Sequence, residues 1–217
     1  MLHPSTLALA ATLLASHAPL AGATNLLTNG SFETPSIAGS AYVFYASGST
    51  AITGWTAVGP GETQLTRTEF LPAAHGMQWV DLTGNVGYDK GLRSDAVATT
   101  PGLAYTLSFD LGDYHPSGFQ NSTVAVRING GAPTLFSNLY QAGVMDWERK
   151  SMTWLADAST AQISIIGVQN GGLSNNYGIG LDNVVFALNP VPEPASYALM
   201  LAGLGLVGVA ARRRNPG

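Results

Sequence analysis

The chain of 217 residues contains no cysteine. That excludes disulfides, thiolate metal ligands and a cysteine nucleophile, and leaves core packing, hydrogen bonds or a bound ion to hold the fold. Charge is scarce as well: Asp, Glu, Lys and Arg make up 10% of the residues, with only nine Lys and Arg. Three of those nine are Arg212, Arg213 and Arg214 at the extreme end, so residues 24–190 carry six basic side chains against twelve acidic ones. Such a surface has no basic stripe to neutralise phosphates, which argues against nucleic acid as a partner. It suits neutral sugars, cations or plain solubility.

Catalytic signatures are missing too. There is no G-x-S-x-G, no H-E-x-x-H and no P-loop, the patterns that would set up a nucleophile, a zinc site or a phosphate cradle. Glycoside hydrolysis needs two carboxylates across a cleft, roughly 5–10 Å apart, and the acids here are scattered. His75 and His115 could be grouped with Asp113, but a lone surface histidine is far more often incidental. The chain reads as a non-catalytic protein.

What is present is a strand pattern. Short runs rich in β-branched and aromatic residues recur between Gly, Pro, Asn and Asp punctuation. The clearest are residues 41–45, 63–68, 77–82, 104–111, 123–129, 150–156, 161–168 and 180–188. In "YTLSFDL", Tyr105, Leu107, Phe109 and Leu111 alternate with polar partners, and "TVAVRI" repeats the pattern with Val124, Val126 and Ile128. A period of two means that each strand buries one face. "NGG" at 129–131 and "PG" at 101–102 supply turns. No helical stripe follows residue 24. Eight or more half-buried strands without helices predict an all-β domain, an antiparallel β-sandwich or jelly roll, over residues 24–189.

The two ends follow another logic. Residues 1–23 hold an apolar run from Leu7 to Ala15 and an A-x-A arrangement at Ala21 and Ala23. That reads as a signal peptide for the Sec export machinery, although only His3 precedes the run where a Lys or Arg is usual. At the other end, Ala195–Ala211 is 17 residues without a charge, followed at once by Arg212, Arg213 and Arg214. Such a helix spans about 25 Å at ~1.5 Å per residue, slightly less than the ~30 Å hydrocarbon core. The arginines would stay in the cytoplasm, leaving the domain outside the inner membrane. Pro192 and Pro194 keep the preceding chain extended around Glu193.

Pro192-Glu193-Pro194, an apolar helix and a terminal Arg cluster, in that order, resemble the PEP-CTERM sorting signal of Gram-negative bacteria. The resemblance covers roughly residues 191–214, within a sorting segment of residues 190–217. It implies a precursor anchored in the inner membrane by a C-terminal transmembrane helix and cut near the motif by an exosortase, the mature protein then being released or transferred to the cell surface or extracellular matrix.

The domain itself carries a second resemblance. "NLLTNGSFETP" at 25–35, "GWTAV" at 54–58, "HGMQWVDLTG" at 75–84, "GLRSDAVATTPGLAYTLSFDLG" at 91–112 and "GLDNVVF" at 180–186 follow in the order of the galactose-binding-like jelly rolls. The set is most similar to the secreted DUF642-like branch, and the fold is that of many carbohydrate-binding modules. In many such folds a structural Ca²⁺ joins the first and last strands, and Glu33 and Asp182 match its carboxylates. A hard cation wants oxygen ligands, and two acids brought together from opposite ends of the chain would otherwise repel.

Sugar binding needs flat aromatic faces beside a few amides or carboxylates. Three Tyr-bearing polar stretches offer these: Tyr88 with Asp89; Tyr114 with His115; and Asn176 with Tyr177. Trp55, Trp79 and Trp154 sit inside strand-like runs and read as core, while Trp147 could serve either purpose. Two non-catalytic readings stay open, beside a hydrolase that would require a carboxylate pair in a deep cleft. One is a surface protein that binds exopolysaccharide or another glycan; the other is a structural or adhesive protein that contacts only proteins. Converging Tyr rings near Asn or Asp would favour the first, and a flat apolar patch the second.

Overall fold

The structure, a computed structural model, describes residues 24–84, 87–114, 122–139, 144–168, 178–190 and 200–207. Among these described residues thirteen strands run in chain order: β1 (Tyr42–Ala46), β2 (Trp55–Val58), β3 (Glu62–Arg67), β4 (Gln78–Asp81), β5 (Lys90–Ser94), β6 (Val97–Ala98), β7 (Ala104–Tyr114), β8 (Ser122–Ile128), β9 (Thr134–Asn138), β10 (Asp146–Leu155), β11 (Thr160–Ala161), β12 (Ile163–Gly167) and β13 (Gly178–Leu188). They build a six-stranded sheet in the order β1-β3-β4-β13-β7-β10 and a five-stranded sheet in the order β2-β5-β12-β8-β9, with a short β11-β6 ribbon. Each pairing with a recorded register is antiparallel. The expected sandwich is the observed one.

The core lies between the sheets and is built by the alternation. On β7, Tyr105, Leu107, Phe109 and Leu111 point inward and are buried. Facing them from the other sheet are Val124, Val126 and Ile128 of β8, Ile163 and Ile165 of β12, and Leu92 of β5. Fully burying side chains of this size contributes about 1.5–3 kcal/mol each. Trp55 is core as expected: its ring lies 5.3 Å from that of Phe32, and its indole N–H donates to the Thr28 carbonyl at 3.1 Å. Asn129 and Gly130 have φ of 51° and 70°, so "NGG" does turn the chain between β8 and β9. Four strands escaped the sequence pattern, namely β2, β5, β9 and the two-residue β6. Trp55–Val58 and Lys90–Ser94 are short and have Gly within or beside them, and Thr134–Asn138 is an edge strand with exposed Leu135.

The beginning of the domain closes against its end. The Leu26 N–H donates to Phe186 O at 2.8 Å, and the Val184 N–H donates to Gly30 O at 2.8 Å. Asn25 reinforces the seam, because its side-chain amide donates to Val184 O at 2.9 Å and accepts from the Phe186 N–H at 2.9 Å. Only glycine fits at position 30, where a Cβ would stand 2.0 Å from Val184 O. Among the described residues no helix is long and apolar enough to cross a membrane. Residues 200–207 are helical and exposed, while the rest of the expected apolar helix, together with Pro192, Glu193, Pro194 and Arg212, Arg213 and Arg214, lies outside the described residues.

The seam generates a stability prediction. Asn25→Ala leaves the Phe186 N–H and the Val184 carbonyl without their side-chain partner, so it should lower stability by about 1–3 kcal/mol. Urea unfolding of wild type and variant measures this, and coincident midpoints would show that the seam contributes nothing.

Candidate functional site

Strand parity gives the six-stranded sheet a second, outward face. From β1 to β10 that face carries Tyr42 and Phe44, then Gln64 and Thr66, then Trp79 and Asp81. Next come Gly178, Gly180 and Asp182, then Tyr114, Gly112 and Asp110, and finally Trp147 and Arg149. The chain between β3 and β4, residues 68–77, lies across this face as a strap. Four hydrogen bonds hold it down. The indole N–H groups of Trp79 and Trp147 donate to the carbonyls of Leu71 and Pro72, both at 2.9 Å. The His75 N–H donates to Asp182 Oδ2 at 2.7 Å, and the Met77 N–H to Glu33 Oε1 at 2.8 Å.

The two indoles meet edge to face with centroids 5.7 Å apart. Glycine makes room for them: a Cβ on Gly112 or Gly180 would stand 2.8 and 2.7 Å from Trp147 ring atoms. Any larger residue there would lift the ring and the strap with it.

Beside the first half of the strap lies a pocket of about 360 Å³, lined by Tyr42, Phe44, Gln64, Phe70, Leu71, Trp79, Asp81, Gly84, Tyr114 and Gly178. Tyr42 packs edge-on against Phe44 and Phe70, at 5.4 and 5.6 Å, and both Tyr42 and Phe70 are largely exposed. Asp81 is the buried polar group of the floor. Its Oδ1 accepts from the Thr83 hydroxyl at 2.5 Å and the Thr83 N–H at 2.8 Å. Burial pushes its carboxyl up to about 6, with the Thr83 hydrogen bonds and the charge of Lys90 pulling the other way. Its Oδ2 lies 3.5 Å from where a Cβ on Gly178 would be, as does the edge of Trp79. The missing side chain at Gly178 therefore leaves space between an aromatic ring and a carboxylate.

Beside the second half of the strap the acids converge. Asp182 is fully buried and accepts from the His75 and Asn183 N–H groups at 2.7 and 2.6 Å. Desolvation pushes its carboxyl up to about 7, and the charges of Asp110 and Glu33 add to the rise against those two hydrogen bonds. Glu33 accepts from the Met77 and Gln78 N–H groups at 2.8 and 3.0 Å. Asp110 is held by Asn183 Nδ2 at 2.9 Å and Arg149 Nη1 at 3.2 Å. A bulge in β13 after Asp182 makes this geometry, with Asn183 at φ 48°.

The acid donors are all oxygen, the type that a hard cation such as Ca²⁺ takes, and a buried carboxylate beside two other acids gains from a positive charge. The residues fit the ion in chemistry. Among the described residues no group of three or more His, Cys, Asp and Glu side chains is arranged to hold a metal, so backbone carbonyls would have to supply the remaining ligands.

Of the residues singled out from sequence, Glu33 and Asp182 both accept N–H groups from the second half of the strap, and Tyr114 lines the pocket. Tyr88 and Asp89 are not part of that lining. Tyr88 packs half-buried against the core, and Asp89 occupies a left-handed turn (φ 63°) whose N–H donates to Gly167 O at 2.8 Å. His115, Asn176 and Tyr177 lie outside the described residues. Trp79 is buried as expected, but on the outward face beneath the strap rather than between the sheets. Trp154 is half-buried at the margin of the core, against Tyr105 and Phe186. Sequence reasoning missed Tyr42, Phe44, Gln64, Phe70 and Asp81. The available signal was the spacing: "YVF" and "WVD" each put two side chains on the outward face, on β1 and β4, the strands that flank β3.

Two antiparallel sheets, sealed where the first segment meets the last strand and carrying an aromatic pocket, define a β-sandwich of the jelly-roll type. Within that class the family model for a protein of unknown function, DUF642, matches residues 25–187, and the chain belongs to the DUF642 family. The PEP-CTERM protein-sorting motif matches residues 190–214, which supports export and sorting of the chain.

Among solved structures, the chain is similar to a cyclase from Fischerella sp. TAU crystallised with 4-(1H-indol-3-yl)butan-2-one, at 18% identity and a TM-score of 0.56, covering 79% of this chain and 100% of that one. It is also similar to the K1 cleaved adhesin domain of Lys-gingipain from Porphyromonas gingivalis W83, at 14% identity and a TM-score of 0.50, covering 70% and 100%. A third is the arabinose-bound α-L-arabinofuranosidase MgGH51, at 13% identity and a TM-score of 0.50, covering 77% of this chain and 27% of that one. Likeness at these identities speaks for the fold alone. No curated protein matches the sequence significantly.

Proposed function

We propose that this is a non-catalytic protein of the cell surface or extracellular matrix, delivered through the Sec machinery and an exosortase, and that it binds exopolysaccharide or another glycan in the pocket on the outward face of the six-stranded sheet. The observation that carries the reading is the pocket's composition. Exposed Tyr42 and Phe70, with Phe44 and Tyr114, offer ring faces and edges to the C–H surfaces of a pyranose. Asp81 and Gln64 supply acceptors and donors for its hydroxyls. A flat apolar patch, the mark of a protein-docking surface, would lack that polar floor. Among the described lining residues Asp81 is the single carboxylate, where hydrolysis of a glycosidic bond calls for two.

Gly178→Val tests the site. A Cβ there stands 3.5 Å from both Trp79 and Asp81, an ordinary van der Waals contact, and the valine methyl groups extend from it into the pocket, so the fold should persist while the pocket fills. On affinity gels containing neutral polysaccharides, the exported wild-type protein should be retarded and Gly178→Val should run as on a blank gel. If Val strains the strand, Gly178→Ala provides the milder version. Wild-type mobility unaffected by any polysaccharide would favour the protein-contact reading instead.

The same proposal includes a structural Ca²⁺ held by Glu33 and Asp182, with Asp110 beside them. The ion would neutralise the converging acids and fix the second half of the strap, contributing binding energy to the folded state alone. EDTA should then lower the melting temperature of the wild-type protein by several degrees, and excess Ca²⁺ should restore it. Asp182→Ala should be insensitive to both. An identical wild-type melting curve with and without chelator would remove calcium from the account.

A further inference from the structure

We infer that the pocket selects neutral glycans and discriminates against sugars bearing carboxylate, sulfate or pyruvate groups. The inference rests on the glycan reading above and adds the ligand class. Among the described residues that line the pocket, Asp81 is charged and none is cationic.

The basic side chains of the domain lie elsewhere. Lys90 is the cation whose field reaches Asp81, but it is buried, it does not line the pocket, and Glu62 acts on it as well. Those three groups together leave one negative charge. Arg67, at the base of the strap, is gripped at two points by Glu69, one of them Nε to Oε2 at 2.7 Å. Arg149 is paired with Asp110, and Lys150 with Glu148. Arg93 and Arg127 belong to strands of the five-stranded sheet.

Recognition of an anionic sugar ordinarily employs a guanidinium or ammonium group placed to meet the charge. Here an anion entering the pocket would meet Asp81 in a partly desolvated site, where like-charge repulsion is strong. A neutral pyranose meets the same carboxylate as an acceptor for its hydroxyl protons, and the absent side chain at Gly178 lets a ring edge approach it. One buried acid thus serves as an anchor for one class of sugar and a barrier to the other. The domain's acidic surface acts in the same direction at longer range.

The test uses the exported, processed protein and matched probes. Gluco-, galacto- and manno-oligosaccharides of equal length are each compared with the counterpart oxidised to the uronate at C6, by calorimetry at about 20 mM salt, where screening is weak. At least one neutral member should bind, with its uronate counterpart weaker by about tenfold or more. That ratio should shrink at about 0.5 M salt and shrink again in Asp81→Asn at low salt. If Asp81→Asn does not fold, the salt dependence of wild type decides. Equal or tighter binding of the uronate at low salt would overturn the inference, as would uronate binding that appears only with added Ca²⁺. Neutral binding with a salt-independent ratio would overturn the role of Asp81. If no member of either series binds, the glycan reading falls and this inference with it, an outcome distinct from a reversed preference.

Discussion

The arrangement depends on one constraint: residues 68–77 are strapped across the outward face of the six-stranded sheet. Left alone, ten residues of exposed chain would sample many conformations, and ordering them costs about 1–2 kcal/mol each. The four hydrogen bonds from Trp79, Trp147, His75 and Met77 offset part of that cost. Packing of the indoles supplies more, and it is available only because glycine occupies positions 112 and 180 beneath Trp147. With the strap down, Phe70 and Leu71 become a pocket wall and Asp182 is sealed from water. Raised, the strap would leave a shallow aromatic sheet and two carboxylates in solvent.

The strap also explains why the pocket and the acid cluster share one face. Its first half borders the pocket, and its second half gives its N–H groups to Glu33 and Asp182. Those acids come from opposite ends of the domain, and the seam of Asn25, Gly30, Val184 and Phe186 holds their segments side by side. Closing the jelly roll and shaping its outward face are therefore one structural problem. The seam aligns the first segment with β13, the bulge at Asn183 sets Asp182 under the strap, and the strap walls the pocket. A change at the seam should be felt on the face.

Much of the fold was legible in the sequence because alternation survives in the long strands. Tyr105 to Leu111 and Val124 to Ile128 declare a buried face without help from their neighbours. Lys90–Ser94 does not, because its buried members include a lysine and a glycine whose burial depends on partners far along the chain. The acid pair was legible through family resemblance, since no local pattern links Glu33 to Asp182.

The pocket was the least legible part. Trp79 carries the strand signature of a core residue and is buried like one, yet the cover it finds is a loop rather than the opposing sheet. Phe70 lies in a segment with no periodicity. Tyr88 and Asp89 looked like rim residues because they are polar and flanked by glycine, but the backbone uses them to turn into β5. What decides the matter is the strap's path, which is set by long-range hydrogen bonds.

Native-state hydrogen exchange at the backbone amides of His75, Met77 and Gln78 tests the strap most directly. The side chains of His75 and Met77 are exposed, so protection there can come only from the bonds to Asp182 and Glu33. The account predicts exchange as slow as that of the central β7 amides, released only by large-scale opening. Exchange at the rate of a free surface loop would mean that the strap is not held, and the pocket and the buried acid site would then lose their common support.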